Sequence, residues 1–472
     1  MGYIPSSDIE KQNMLRTIGF SSTDELFSDI PESFRFKITP SMPSTEPSAK
    51  PSSIPSAEPS SIPSTILSSI PSSLLSSMST GKSEFEVIDE LQALASKNKI
   101  FKTILRGAGA YRHYIPSVVN HLSAREEFLT AYTPYQPEIS QGILQCIFEY
   151  QTIMARLTGM DVSNASVYDG ATAGAEAIVM CVGKNRRRIL VSETVKPQYV
   201  EVIRTYCKGQ NLDVGLVPSK EGVTDLDALR GLLSGDVACV LTEQPNRFGL
   251  LEDADQICQL AKQNGSKYVM GCYPIALALL KTPGETGADI AFGEGQPLGI
   301  PLSYGGPYLG FITARKELAR KLPGRIVGQT TDRLGRRGFV LTLQAREQHI
   351  RREKASSSIC SNEALCAVRA AIYVSSLGPD GLREVARQSA AHAHYFADCL
   401  IGLGFSMAYR GDFFNEFLTV CPVEPERILG ALENRGILGG LPVGDKILWC
   451  ATEMNRKDEL DFAVDVIRGE LQ

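Results

Sequence analysis

Residues 188–273 read RILVSETVKPQYVEVIRTYCKGQNLDVGLVPSKEGVTDLDALRGLLSGDVACVLTEQPNRFGLLEDADQICQLAKQNGSKYVMGCY. Short runs rich in aliphatic and β-branched residues, such as RILVSE and VACVLTE, alternate with longer helical patterns such as PQYVEVIRTYCKGQ. Asp225 and Asp253 stand where helix N-caps belong, and Gly265 stands where a helix should end. This order predicts a mostly parallel sheet covered by helices.

The pattern continues toward the C-terminus. The runs ADIAFGE at 288–294 and YLGFITA at 308–314 extend the predicted sheet, and two long helices should follow Asn362 and end near Leu403. Strands and helices then alternate again, as in EFLTVCP, PERILGALENRG and KILWCATE. An α/β large domain with a mostly parallel sheet and a smaller α+β C-terminal domain is the aspartate-aminotransferase-like layout (PLP fold type I), although many families share such a layout.

Composition divides the chain into four segments. We expect an N-terminal arm at 1–42, a Ser/Pro-rich flexible insert at 43–80, a large α/β domain at 81–361 and a small α+β domain at 362–472. In the insert a proline recurs at every fourth residue of PSTEPSAKPSSIPSAEPSSIP, and this spacing excludes a helix. We interpret the insert as a linker, and a proline motif that binds a partner is the alternative.

Bulk composition argues against several classes of function. The 472 residues carry a formal net charge of -5 and are 43% hydrophobic, which indicates neither a nucleic-acid-binding surface nor an acidic tail. The 11 cysteines form no C-x-x-C pair, as is typical of thiols in a reducing compartment. No stretch is apolar enough to span a membrane, and the N-terminus lacks the apolar region of a signal peptide. We expect a cytoplasmic protein.

The segment YTPYQPEISQG at 132–142 contains an unusual group of candidate site residues. The aromatic rings of Tyr132 and Tyr135 flank a proline, while Gln136, Glu138 and Gln141 bring amide and carboxylate groups to the start of a predicted helix. Free backbone donors at a helix start can receive a carboxylate or a phosphate. The alternative is that Glu138 only stabilises its own helix and that the tyrosines pack.

Two further segments carry candidates. In YDGATAGAEAIV at 168–179, Thr172 would place donors at the mouth of a helix, or the small residues would only permit close helix packing. In REQHIRREKASSSIC at 346–360, Arg352 and Lys354 can bind a phosphate, a substrate carboxylate or an acidic partner, or they form a solvated basic face. No metal site is expected, since paired histidines occur only two residues apart in AHAHYF and point to different faces of a helix.

Seven strings spread along the chain resemble one family. GAGAYRHYIP, YTPYQPEISQG, FEYQT, LTGMDVSNAS, YDGATAGAEA, GEGQPLGIPLSYGGPYLG and REQHIRREKAS stand in the order and wording of first subunits of the glycine cleavage system P-protein. The resemblance implies a pyridoxal-phosphate-dependent decarboxylation of glycine, with the aminomethyl group passed to the lipoyl arm of the H-protein. The family commonly reads KATSNICT where this chain reads KASSSICS, so that an amide is lost at Ser357.

The sequence lacks the lysine that such an enzyme uses to hold its coenzyme. The strand YVMGCYP has Cys272 near the position where an acidic residue is expected. Where the resemblance places the cofactor lysine of the paralogous second subunit, this chain has Gln296 and Pro297. The nearby Lys281 and Lys316 stand in charged contexts or at element ends, and we expect both to be surface residues.

We therefore interpret the chain as the subunit that does not anchor the coenzyme. Its partners would be the lysine-bearing P-protein subunit 2, which binds pyridoxal phosphate covalently, and the lipoylated H-protein. The assembly would be a heterodimer or a dimer of heterodimers, with glycine as substrate. One alternative is a purely structural partner that stabilises the catalytic subunit without contributing to its pocket. A second alternative, an independent pyridoxal enzyme, requires a lysine that the motifs do not supply.

Overall fold

The computed structural model describes residues 8–31, 82–355, 357–359 and 362–472. The chain divides into two compact units, Met1–Lys99 and Ile100–Gln472. The predicted insert at 43–80 lies outside the described residues, and the predicted domain limits stay predictions.

The helices are α1 (Asp8–Thr17), α2 (Glu84–Ala95), α3 (Ser117–Ser123), α4 (Glu126–Leu129), α5 (Gln141–Thr158), α6 (Gly170–Cys181), α7 (Pro197–Gly209), α8 (Leu226–Leu232), α9 (Ala254–Gln263), α10 (Pro283–Thr286), α11 (Gln348–Arg351), α12 (Ala364–Ile401), α13 (Pro425–Asn434) and α14 (Lys457–Leu471). Short 3-10 helices occur at Thr23–Phe27, Ala276–Ala278, Ser303–Gly305, Lys316–Lys321, Gln344–Arg346 and Arg352–Lys354.

The strands are β1 (Thr103–Ile104), β2 (Val162–Ser163), β3 (Arg188–Ser192), β4 (Asp213–Val217), β5 (Ser219–Lys220), β6 (Val223–Thr224), β7 (Val237–Gln244), β8 (Lys267–Cys272), β9 (Ile290–Glu294), β10 (Gly310–Ala314), β11 (Ile326–Thr331), β12 (Arg337–Thr342), β13 (Ser406–Met407), β14 (Glu416–Val420), β15 (Ile437–Leu438), β16 (Leu441–Val443) and β17 (Lys446–Cys450).

The first unit contains α1 and α2. In α2 the helix start is fixed by a capping box, in which the Ser83 hydroxyl accepts from the Glu86 backbone N–H at 3.3 Å and the Glu86 carboxylate accepts from the Ser83 backbone N–H at 2.8 Å. α1 is followed by Gly19, whose φ of 83° is a conformation that glycine adopts without strain.

In the second unit seven strands form one sheet in the order β2-β10-β9-β8-β7-β3-β4. Parallel pairs join β4 to β3, β3 to β7, β7 to β8 and β8 to β9. The strand β10 runs antiparallel to both of its neighbours, β9 and β2. The mostly parallel sheet that residues 188–273 predict is confirmed.

Helices cover both faces of this sheet. On one face α6 and α7 bury Ile178 and Ile203 against Phe292, and on the other α8 and α9 bury Leu229 and Ile257. A sheet that is covered on both sides needs strands that are apolar throughout. This explains why β7 reads VACVLTEQ, with every residue but the last buried.

The predicted caps lie where the sequence places them. The Asp225 carboxylate accepts from the Ala228 backbone N–H at 3.0 Å, and the Asp253 carboxylate accepts from the Gln256 backbone N–H at 3.1 Å. Gly265 follows α9 with a φ of 71°. These local signals fix the starts of α8 and α9 and the end of α9.

The two long helices predicted after residue 362 form the two halves of α12. Gly378, with φ 64° and ψ -177°, interrupts the helix immediately before Pro379. The residue before a proline avoids the helical conformation, so the break falls at this position.

A four-stranded antiparallel sheet, in the order β13-β14-β17-β16, forms the C-terminal part. Its core is built around Trp449, Phe396 and Phe417. The short strand β1 pairs in parallel with β15, and Leu105 is buried in the same core. The sequence pattern did not predict that the segment before the large sheet pairs with β15 as a separate two-stranded sheet.

None of the helices in the described ranges combines the length and the apolar content needed to cross a membrane. In the same ranges no three His, Cys, Asp or Glu side chains come together as metal ligands. The two histidines of AHAHYF contact separate backbone carbonyls, His392 that of Thr452 and His394 that of Phe413.

Candidate functional site

A small pocket lies where β7, β8 and β9 end, and we call it the strand-end pocket. The pocket is lined by Gly109, Tyr111, Lys196, Tyr199, Glu243, Pro245, Cys272, Tyr273, Gly293, Glu294, Pro297, Asn415 and Glu416. Ligands of open parallel sheets bind beyond the carboxyl ends of the strands, so this is the expected active-site position. Its volume is only about 20 Å³, close to that of one water molecule.

A buried ion pair fills part of the strand-end pocket. The Lys196 ammonium lies 2.8 Å from one Glu243 carboxylate oxygen, and the Lys196 backbone N–H donates to the other at 2.7 Å. The two side chains are 15% and 5% exposed, so each charge depends on the other for neutralisation. Sequence analysis missed Lys196. The available signal was Lys-Pro between a buried strand and a helix, because proline at the first helical position fixes that helix start beside the strand end.

Two carboxylates occupy the start of α6. The Asp169 carboxylate accepts from the Thr172 backbone N–H at 2.8 Å, and the Glu294 carboxylate accepts from the Gly170 backbone N–H at 3.0 Å. Glu294 also accepts from the Gln296 backbone N–H at 2.9 Å, while burial raises its pKa to about 7. The donors expected at the helix mouth near the buried Thr172 are thus engaged by side chains of the chain itself.

The side-chain amide of Gln296 lies in the turn at 296–297 and makes three hydrogen bonds within the chain. The Gln296 side chain donates to the carbonyls of Tyr111 at 2.9 Å and Ile300 at 2.8 Å, and it accepts from the Tyr111 backbone N–H at 2.9 Å. Pro297 lines the pocket beside it. This turn therefore connects the sheet to the Tyr111 segment.

Pyridoxal phosphate does not fit the strand-end pocket of this chain. The cavity has the volume of about one water molecule, and Lys196, the one lysine among its described lining residues, is held by Glu243. The carboxyl groups of Glu243, Glu294 and Glu416 would oppose the negative charge of a phosphate. Cys272 occupies the expected acidic position, and burial raises the pKa of its thiol, which keeps that group neutral.

The YTPYQPE candidates lie on the surface ahead of α5. The helix predicted to start in this segment is α5, which begins at Gln141. The Gln141 side chain donates to the Pro137 carbonyl at 2.7 Å and also pairs with the Phe339 backbone. These bonds tie the helix start to β12 and leave the preceding residues in a turn. Glu138 is exposed in that turn and not in the first turn of the helix.

A buried arginine, Arg325, contacts both the hydroxyl group and the ring of Tyr135. The Tyr135 hydroxyl accepts from an Arg325 guanidinium N–H at 2.8 Å, and the same guanidinium lies 5.1 Å from the ring centre. Arg325 is 3% exposed, whereas Tyr132 and Gln136 in the same segment are exposed to solvent. Sequence analysis did not identify Arg325.

A second cavity, of about 450 Å³, opens beside Tyr135, and we call it the mixed-charge cavity. Its lining residues are Tyr135, Glu347, Gln348, His349, Arg352, Glu353 and Ile359. The structure thus brings together Tyr135 and Arg352, which come from separate motifs. Lys354 is exposed in the same 3-10 helix as Arg352 but does not line the cavity, and Thr172 lies away from it.

Glu176 is a further buried acid that the motifs did not reveal. It lies in α6, it is 3% exposed, and its helix neighbours Ala175 and Ala177 are buried and apolar. Burial raises the pKa of Glu176 to about 7, against a smaller opposing effect of the Ser357 hydroxyl.

The fold defines a class of protein. The architecture is that of aspartate-aminotransferase-like proteins, the PLP fold type I. The chain resembles the sphingosine-1-phosphate lyase of Burkholderia pseudomallei with a TM-score of 0.63 and 13% identity, covering 83% of this chain and 91% of that chain. It resembles an alanine-glyoxylate aminotransferase from Nostoc sp. with a TM-score of 0.55 and 15% identity, covering 79% and 96%.

The chain belongs to the glycine cleavage system P-protein family, whose family model matches residues 1–467. It is 47% identical over 480 residues to the probable glycine dehydrogenase (decarboxylating) subunit 1 of Moorella thermoacetica, covering 100% of both chains. The protein of the same description from Desulfitobacterium hafniense is 45% identical, with 98% of both chains covered. A crystal structure of an inhibitor-bound glycine decarboxylase (P-protein) matches with a TM-score of 0.84 and 38% identity over 100% of both chains. The resemblance seen in the motifs is confirmed.

The substitution Lys196→Met should lower the free energy of unfolding by about 3 kcal/mol, because Glu243 then stays buried without a partner. The double variant Lys196→Met/Glu243→Gln should recover most of this loss, since glutamine carries no charge and still accepts from the backbone. Urea unfolding followed by circular dichroism measures both variants. A single variant as stable as the wild type would contradict the role of the ion pair.

The raised pKa of Glu176 makes stability depend on pH. The pKa of Glu176 is about 7 in the folded chain, compared with an ordinary value of 4.5, so folding favours the neutral carboxyl group. The contribution of this group to the free energy of unfolding is complete below pH 4.5 and is lost as the pH rises through 7. The substitution Glu176→Gln should remove up to about 3 kcal/mol of this loss between about pH 5 and pH 8. Thermal unfolding at both pH values is the measurement, with the exposed Glu201→Gln as control. Equal pH profiles for Glu176→Gln and wild type would refute the assignment.

Proposed function

We propose that this chain is subunit 1 of a two-chain glycine decarboxylase. With a lysine-bearing subunit 2 it would decarboxylate glycine and transfer the aminomethyl group to the lipoyl arm of the H-protein. The full-length relatives described as subunit 1 of a decarboxylating glycine dehydrogenase support this assignment, and their description implies a second subunit. The glycine decarboxylase structure of the same fold supports the reaction class.

The observation that carries the proposal is the filled strand-end pocket. A chain of this fold with a pocket of about 20 Å³ and a lysine engaged by Glu243 needs another chain to hold the coenzyme. We therefore assign the covalently bound pyridoxal phosphate to the partner subunit. That coenzyme would supply the electron sink for loss of carbon dioxide.

We assign the exposed candidates to the surface that completes the partner's pocket. These are Tyr132, Tyr135, Gln136, Glu138, Arg352 and Lys354. Two other candidates have contacts within the chain, which makes a supporting role the better assignment. These are Gln141, whose amide is bonded to β12, and Thr172, which is buried at the start of α6.

The assembly that follows is a heterodimer or a dimer of heterodimers in the cytoplasm. We divide its second unit into a large domain that ends near residue 361 and a small domain at 362–472, consistent with the separate seven-stranded and four-stranded sheets. We keep the assignment of 43–80 as a flexible linker on the basis of its proline spacing.

Glycine-dependent exchange of labelled bicarbonate tests the division of labour. We expect no exchange by this chain alone, little by subunit 2 alone, and full exchange by the mixture. Borohydride reduction in the presence of pyridoxal phosphate should label subunit 2 and leave this chain unlabelled. Exchange by this chain alone, together with a trapped coenzyme bond, would contradict the proposal.

The substitution Glu138→Ala should lower exchange by the assembled enzyme at least about tenfold, because a positioned carboxylate would be lost from the shared pocket. Its exposed position predicts an unchanged melting temperature and unchanged assembly, which size-exclusion chromatography measures. Glu126→Ala, an exposed acid on α4, is the matched control. Full exchange by Glu138→Ala and by the other variants of YTPYQPE would favour a purely structural subunit.

A further inference from the structure

Exposed apolar side chains are concentrated in one stretch of chain ahead of α5, residues 114–139, which we call the 114–139 surface. Six large apolar side chains are exposed in this stretch, whereas residues 140–303, all of which the structure describes, carry two, Tyr168 and Leu279. Single exposed apolar residues are normal in soluble proteins, but a concentration of them is typical of an interaction site. The six are Tyr114, Val118, Leu129, Tyr132, Tyr135 and Ile139.

Contacts with the rest of the second unit hold this stretch in a fixed conformation. The Arg369 guanidinium, on α12, donates to the Asn120 side-chain oxygen at 2.5 Å and to the Ser123 hydroxyl at 3.2 Å. Val119 is buried in one apolar core, and Phe128 packs against another. The helices α3 and α4 are too short to be stable by themselves, so these contacts fix them. The outward apolar side chains are therefore preorganised, which lowers the entropic cost of binding a partner.

The composition of the stretch favours a protein as the partner. It has no lysine and a single arginine, Arg125, whose guanidinium lies 2.6 Å from the Glu127 carboxylate, while Glu126 and Glu138 add negative charge. Membrane surfaces and nucleic acids are negatively charged and bind surfaces rich in lysine and arginine. Tyrosine, by contrast, is enriched at protein–protein interfaces, and three of the six exposed apolar side chains are tyrosines.

Size and continuity select the partner. A standard interface uses about 20–30 residues of each protein, and the range 114–139 spans 26. The same stretch contains Tyr132 and Tyr135, which we assign to the surface that completes the partner's pocket, so the apolar residues on either side of them extend that contact. On the basis of the function proposed above, we propose that the 114–139 surface is the face of this chain that is buried against the lysine-bearing subunit 2.

The affinity of the full chain for purified subunit 2, measured by isothermal titration calorimetry, tests the proposal. Val118→Asp on α3 and Leu129→Asp on α4 should each weaken association at least about tenfold, because each would bury a charge in an apolar interface. Ile139→Asp, in the turn ahead of α5, should do the same without changing a helix. Leu279→Asp is the matched control, since Leu279 is 45% exposed, comparable to 55% for Leu129, and lies outside the stretch. It should bind subunit 2 as the wild type does.

The outcomes separate this proposal from the function on which it rests. Wild-type chain that does not associate with subunit 2 would contradict both. Wild-type chain that associates, together with three surface variants that bind as tightly, would overturn the interface and leave the two-chain enzyme intact. Melting temperatures identify the variants that are folded, and the comparison uses those variants.

Two other occupants of the surface give different results. If a second copy of this chain covers it, analytical ultracentrifugation of the chain alone would show a dimer that Leu129→Asp dissociates. If a lipid surface covers it, the chain would sediment with vesicles of phosphatidylcholine and phosphatidylglycerol, and Leu129→Asp would abolish this binding. Either result, with unchanged affinity of Leu129→Asp for subunit 2, would overturn the proposal. We expect a monomer in the first experiment and no sedimentation with vesicles in the second.

Discussion

The buried ion pair between Lys196 and Glu243 is the interaction on which the organisation of this chain depends. It joins the start of α7 to the end of β7 at the position where a protein of this fold would bind its coenzyme. Because both charges are buried and neutralise each other, neither can be released without leaving the other unpaired. The pair therefore closes the strand-end pocket from within, and the chain keeps the architecture of its class without the space for the coenzyme.

A buried charged group with partners in the same chain also connects the pocket to the C-terminal sheet. Glu416, at the start of β14, accepts from the Ala108 backbone N–H and from the Tyr111 hydroxyl, both at 2.6 Å. Burial raises the pKa of Glu416, and the two donors oppose that effect by favouring the charged carboxylate. The strand-end pocket is thus bounded by side chains from both sheets and from the segment around Tyr111. Contacts within the chain hold these parts together, with no ligand needed to bridge them.

The sequence predicts what is local and misses what depends on distant contacts. The alternation over 188–273, the caps at Asp225 and Asp253 and the break near the middle of α12 follow from residue types and spacing, so these features could be predicted. The pairing of β1 with β15 in the C-terminal part involves only two residues of each strand, which leaves no periodicity to detect. The pocket lysine was missed for a related reason, since a search around the turn at 296–297 cannot reveal that Lys196, a hundred residues earlier at the start of α7, lines the same pocket.

The two sites of the second unit differ in how their polar groups are satisfied. In the strand-end pocket the Lys196 ammonium, the Glu294 carboxylate and the Gln296 amide all have partners within the chain. By contrast, Glu347, which lines the mixed-charge cavity, and Arg325 behind Tyr135 each keep a side-chain atom that has no partner among the residues the structure describes. A folded chain tolerates such atoms where something else supplies the missing bonds, because their desolvation would otherwise oppose folding. The two sites therefore differ in their hydrogen bonding: the polar groups named in the strand-end pocket are paired, whereas Glu347 Oε1 beside the mixed-charge cavity has no donor among the described residues.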